Sequence, residues 1–150
     1  MTARFLSIGA APKARSPENS RYRKSQSVWT LWENLVASEV RKMFLSAGQR
    51  PPLWYWRTTE GHEVDLLVEC APENFVTVEC KTAAQVSLSD HGHLKILREE
   101  YGPASVRKAY VACRAERAYP LSKDGLCEAV PLAGEDGLLG RIGKMLPQKT

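Results

Sequence analysis

Two short runs constrain this chain more than any others: EVDLLVE at residues 63–69 and FVTVECK at residues 75–81. Both are rich in β-branched and aromatic residues, and the turn formers Pro72 and Asn74 lie between them, so together they predict a β-hairpin. Strand side chains alternate between faces. Counting by two puts Val64, Leu66 and Val68 on one face of the first strand and Asp65, Leu67 and Glu69 on the other. In the second strand Val76, Val78 and Cys80 share a face, while Glu79 and Lys81 project from the opposite one beside Thr77. With both faces covered, Asp65, Glu79 and Lys81 meet in one partly dry polar spot, which is costly unless they serve one another or a cation.

Such a spot suits a hard divalent cation. Mg²⁺, or Mn²⁺ in its place, takes oxygen ligands and keeps several waters, so one or two carboxylates plus the phosphate oxygens of a substrate suffice. Asp65 and Glu79 offer those carboxylates, and Lys81 would orient the attacking water or offset charge in the transition state. The chemistry expected is metal-assisted phosphodiester hydrolysis. The plainer alternative is that Glu79 and Lys81 form a solvated pair on an exposed sheet face.

The run Gly61-His62-Glu63-Val64-Asp65, followed by Glu79-Cys80-Lys81 with the two acids fourteen positions apart, resembles the PD-(D/E)XK nuclease motif. More narrowly, WENLVASEV from Trp32, YWRTTEGHEVDLLVE from Tyr55, VECK from Val78 and LKILREEYG from Leu94 resemble a nuclease-like module found at the C-terminus of certain AAA-type ATPases. The similarity covers about residues 29–112. It implies an α/β fold with an αβββαβ, restriction-endonuclease-like core: a central mixed four-stranded sheet flanked by helices. It implies catalytic residues at Asp65, Glu79, Lys81 and Glu33, with Asp65, Glu79 and Glu33 holding Mg²⁺ or Mn²⁺. Nucleic acid, DNA foremost, is the implied substrate, and an ATPase the implied partner. A module that kept the fold and lost the chemistry, binding nucleic acid or a protein instead, fits the same resemblance.

The chain's 150 residues suit one domain, 28–150, with a sizeable core, and its formal charge of +4 needs locating before it is read as a nucleic-acid signal. Residues 1–27 hold six basic residues, among them Arg21, Arg23 and Lys24, against Glu18 alone. That surplus of five exceeds the chain's total, so the remaining residues are slightly acidic. The expectation is a basic, disordered tail able to contact phosphates without reading sequence. No apolar run reaches the roughly 18 residues of a membrane span, and Met1 to Ala14 lacks the apolar stretch of a secretory signal. Cys70, Cys80, Cys113 and Cys127 show no C-x-x-C pair, which suggests reduced thiols and a cytoplasmic setting.

A first helix is predicted over residues 29–46, ending near Gly48, with Glu33 inside an apolar arc that includes Val36, Val40 and Phe44. Carboxylates aimed at a core are rare unless paired. Glu33 is therefore either a ligand or, through Thr30-Leu31-Trp32-Glu33, the back half of a capping box at the helix start. A strand follows over 53–58, with Tyr55 and Arg57 on one side and Trp54 and Trp56 on the other. If Arg57 shares the face of Asp65 it can pair with that carboxylate or reach a phosphate; otherwise it is an ordinary surface arginine. A second helix is expected after an N-cap at Ser89 or Asp90, ending at Gly102-Pro103. His91 and His93 lack the spacing of a metal pair and are read as structural or exposed. A strand over 106–113, a short edge strand over 126–132 and a helix over 137–146 complete the expectation. Gly137 and Gly143-Lys144-Met145 do not make a phosphate-binding loop, so the chain is not itself an ATPase.

Overall fold

The computed structural model describes residues 3–7 and 20–145, with side chains described from Thr30 to Met145. Strands and helices follow in the order β1 (Ala3–Ser7), α1 (Ser20–Ser46), β2 (Leu53–Thr58), β3 (Glu63–Ala71), β4 (Asn74–Cys80), α2 (Leu94–Tyr101), β5 (Val106–Ala112), β6 (Tyr119–Pro120), β7 (Cys127–Val130) and α3 (Leu138–Met145). The class is mixed α/β. Sheet order is β1-β2-β3-β4-β5-β7-β6. The block β2-β3-β4-β5 is contiguous, antiparallel up to β4 and parallel from β4 to β5. The four-stranded expectation is too small, because β1 extends the sheet beyond β2, and β7 and β6 extend it beyond β5. β7 lies within the strand expected over residues 126–132, although β6 pairs outside it and takes the edge; β1 pairs with β2 across a long sequence separation, which local patterning does not report.

Helix α1 begins nine residues before the expected start, so residues 1–27 include a strand and the first eight residues of a helix. Its end is where glycine chemistry puts it. Gly48 has φ 66°, its N–H bonds Leu45 O at 2.9 Å, and the N–H of Gln49 bonds Phe44 O at 2.9 Å, a closing turn of Schellman type. The β3–β4 turn is tighter than expected: Ala71 pairs with Asn74 across Pro72 and Glu73, with Glu73 at φ 56°. The predicted N-cap at Ser89 or Asp90 is also corrected. Residues Leu88–His91 form a separate 3-10 turn, in which Asp90 Oδ2 accepts the N–H of Ser87 at 2.7 Å, and α2 starts only at Leu94.

Two apolar layers enclose the sheet. On one side Val36, Val40 and Phe44 of α1 and Leu138 and Ile142 of α3 pack against Leu66, Val68, Val76, Val78 and Tyr110. On the other, Leu94 and Leu97 of α2 pack against Trp56, Val64, Leu67, Phe75 and Val111. At roughly 1.5–3 kcal/mol for each large side chain buried, these two layers are the main stabilising contribution. Val64 therefore does not share a face with Leu66 and Val68, contrary to the period-two count. The cause is a β-bulge. Trp54 pairs with Leu67 and Trp56 with Val64, so Tyr55 alone opposes both Asp65 and Leu66.

Candidate active site at the bulge

The bulge places Asp65 where β3 changes faces, next to the end of its pairing with β4. The β3–β4 register runs no further than Leu66 opposite Val78, and the N–H of Cys80 donates to the Asp65 carboxylate at 2.7 Å. On β4, Thr77 and Glu79 point toward the α2 side: Glu79 is paired with Val111, and Thr77 Oγ1 lies 2.9 Å from His91 Nε2. Glu79 is only 8% exposed. Its Oε1 accepts from Lys81 Nζ at 3.0 Å, whereas its Oε2 is buried with no hydrogen-bond partner among the described residues. A buried carboxylate oxygen without a donor costs free energy unless something positive meets it.

Glu33 reaches the same neighbourhood from α1. It lies thirteen residues into a helix that starts at Ser20, so the capping-box reading is excluded. Burial first, then the carboxylates of Asp65 and Glu63, push the Glu33 pKa up to about 7 against the pull of Lys81. Burial, then Asp65, also holds Glu79 well above the ordinary carboxylate range despite Lys81. Asp65 is raised by burial too, opposed by its bond from Cys80 and by Lys81. For Lys81, burial works against the ammonium, but Glu79, the bond it accepts, Asp65 and Asp90 outweigh it and raise the pKa. Three carboxylates thus share one cation in a half-dry site, and their shifts mark an excess of negative charge.

The remaining sequence candidates fall elsewhere. Arg57 turns to Glu63, with Nε 3.9 Å from Oε2 and both side chains exposed, so it does not pair with Asp65. Arg21, Arg23 and Lys24 lie on the first turns of α1, and their side chains are outside the described residues. His91 is buried against Thr77, and burial drives its pKa down to about 4. His93 is half-buried, with Nδ1 2.7 Å from Glu63 O. Sequence reading missed Glu63, which holds the Tyr55 hydroxyl at 2.7 Å and adds negative potential to every acid of the site. Its signal was its place two residues before Asp65, opposite a strand carrying Tyr55 and Arg57. It also missed Trp32, whose indole N–H donates to Ala112 O at 3.1 Å; the same carbonyl accepts the N–H of Lys81 at 2.9 Å. One oxygen therefore ties the helix bearing Glu33 to the strand end bearing Lys81.

The donor set is all oxygen plus one ammonium, the chemistry of a site for a hard divalent cation. Among the described residues, no group of three or more His, Cys, Asp or Glu side chains is closed enough to hold a metal ion by itself. The four cysteines are free, Cys70 half-buried and the other three buried, and no helix among the described residues is long and apolar enough to cross a membrane.

Comparison with curated proteins and comparison with solved structures each gave no match. A family model described as a domain of unknown function, DUF4143, matches residues 30–133. This span is more than two thirds of the chain and takes in Glu33, Asp65, Glu79 and Lys81, together with every strand from β2 to β7. The chain belongs to the DUF4143 family.

Proposed function

We propose that this domain hydrolyses phosphodiester bonds in nucleic acid, DNA foremost, with Mg²⁺ or Mn²⁺ held by Asp65 and Glu79 and approached by Glu33. The observation that carries the reading is the buried Oε2 of Glu79, unpartnered among the described residues, beside two further acids whose pKa values are raised. That is an anionic oxygen set short of one positive charge, with room in the donor count for substrate phosphate. When bound there, the cation would supply Lewis-acid stabilisation to the phosphate and a more acidic water.

The chain's own groups have separable roles. The Cys80 N–H fixes one oxygen of Asp65, and Lys81 fixes one oxygen of Glu79, so each acid keeps its other oxygen for a ligand. Because its neighbours raise its pKa, Lys81 remains an ammonium and offsets developing negative charge rather than removing a proton. Glu33, near 7, is able to take or return a proton at neutral pH, which suits a base for the attacking water. Arg21, Arg23 and Lys24 would add contacts to the phosphate backbone.

A non-catalytic module that binds nucleic acid or an AAA-type ATPase through the same fold is the second reading. It rests on the same α/β fold and on the same resemblance. The deciding experiment incubates the full chain with single- and double-stranded DNA and RNA, with Mg²⁺, Mn²⁺ or chelator. Cleavage that needs metal supports hydrolysis; binding without cleavage on every substrate supports the module.

A further inference from the structure

A cavity lies on the α2 side of the sheet. It encloses about 780 Å³ between α2, the 3-10 turn at Leu88–His91 and the loop of residues 121–126, and neither Asp65, Glu79, Lys81 nor Glu33 lines it. Its volume is that of a site for a small organic molecule. Leu88, Leu94 and Leu126 give it apolar walls, and Leu88 is 45% exposed.

The polar atoms on those walls are unevenly committed. Asp124 is engaged by the Ser122 hydroxyl and by the N–H of Leu126 at 3.0 Å, and Glu99 lies 3.7 Å from Lys95. Arg98 exerts an electrostatic influence on Asp124, and among the described residues it forms no ion pair and its buried Nε has no acceptor. His91, 2% exposed, uses Nε2 on Thr77, and its Nδ1 has no partner among the described residues. Two unsatisfied nitrogens thus flank one apolar cavity. A guanidinium Nε–H can only donate, so its missing partner is an acceptor, and an anionic one forms the stronger bond.

We propose that this cavity is a binding site for a small aromatic or aliphatic molecule that carries one anionic acceptor, a carboxylate, sulfonate or phosphate group, held by Arg98 over apolar walls formed by Leu94 and Leu126. The site is independent of the proposed hydrolytic reading, since it shares none of its four residues. Its wall nevertheless touches that site, because His91 bonds Thr77 two residues before Glu79.

The test uses the full chain and two fluorescent probes of similar size, the anionic 8-anilinonaphthalene-1-sulfonate and the neutral N-phenyl-1-naphthylamine. Wild type should bind the anionic probe saturably at one site. Arg98→Met should weaken that binding about tenfold, the loss of one charge-assisted bond, and change neutral-probe binding less than twofold. Leu126→Trp should fill the cavity and weaken both probes. Melting curves of both variants establish that they fold, and Arg98→Met, which keeps a side chain of similar length, keeps the test valid if Leu126→Trp does not fold. Absence of saturable binding, or binding indifferent to both substitutions, overturns the site. Sensitivity to Leu126→Trp alone overturns the anionic group.

Discussion

The Asp65 carboxylate accepts the backbone N–H of Cys80 at 2.7 Å, just past the last β3–β4 pair, so a side chain serves as the acceptor for a strand amide beside the acids. Asp65→Ala would leave that amide without its acceptor. A loss of about 1–3 kcal/mol in urea melts is expected. Asp65→Asn keeps an acceptor oxygen and should cost less than half as much, yet abolish metal binding as fully as alanine. Equal destabilisation by both would mean that the carboxylate is not serving the amide.

The acids also set a pH dependence. A carboxyl whose pKa is raised on folding binds more protons folded than unfolded, so its contribution is favourable at low pH and is lost as pH rises through the folded pKa. Glu33, at about 7, and Glu79, also raised, therefore destabilise the metal-free chain as pH climbs through neutrality. His91, lowered to about 4, acts the other way but only below its unfolded value near 6.5. Between pH 6.5 and 8.5 the acids act without that opposition. The melting temperature in chelator should fall over this window, and the combined Glu33→Gln and Glu79→Gln variant should flatten the slope. A slope unchanged by that variant would refute the charge excess.

Trp32 and Lys81 share the Ala112 carbonyl, so the indole sets where α1 carries Glu33. Trp32→Phe keeps the ring and removes one hydrogen bond, which costs about 1 kcal/mol. Mn²⁺ affinity measured by calorimetry should fall several-fold. Combined with Glu33→Gln, the substitution should add nothing further, because both act through one carboxylate. Additive losses would make Trp32 a general stabiliser.

Much of this geometry was legible in advance. The hairpin, the strand at residues 53–58 and the end of α1 at Gly48 followed from β-branched runs, turn residues and one glycine able to take a positive φ. The pairing of Glu79 with Lys81 came from strand periodicity, and the nearness of Asp65 and Glu33 from the resemblance. What misled was local patterning where one residue breaks the count. Thr30-Leu31-Trp32-Glu33 has the spacing of a cap, but the same spacing occurs inside a helix, and nothing in residues 20–29 stops α1. The bulge at Asp65 inserts one residue into β3, so Val64 and Leu66 face opposite layers despite being two apart. No propensity announces a bulge whose determinant is the pairing strand.

The basic residues at the start of α1 predict a salt effect. Deleting residues 1–27 would remove β1 and the first turns of α1, so Arg21, Arg23 and Lys24 are better replaced together by glutamine. If they contact phosphates, the slope of log affinity for DNA against log salt should shallow by about 2–3, close to one unit per lost contact. An unchanged slope would place the contacts elsewhere on the domain.

The central claim is that Lys81 acts in chemistry at a metal site built from Asp65 and Glu79. The most direct measurement compares wild type and Lys81→Ala for cleavage of DNA with Mn²⁺ and with chelator, with thermal melting of both proteins at the same pH. Wild type should cleave only with metal, and Lys81→Ala should lose at least a hundredfold in rate while melting within a few degrees of wild type. If the metal-containing wild type cleaves no nucleic acid, or if Lys81→Ala cleaves as fast as wild type, the account is contradicted.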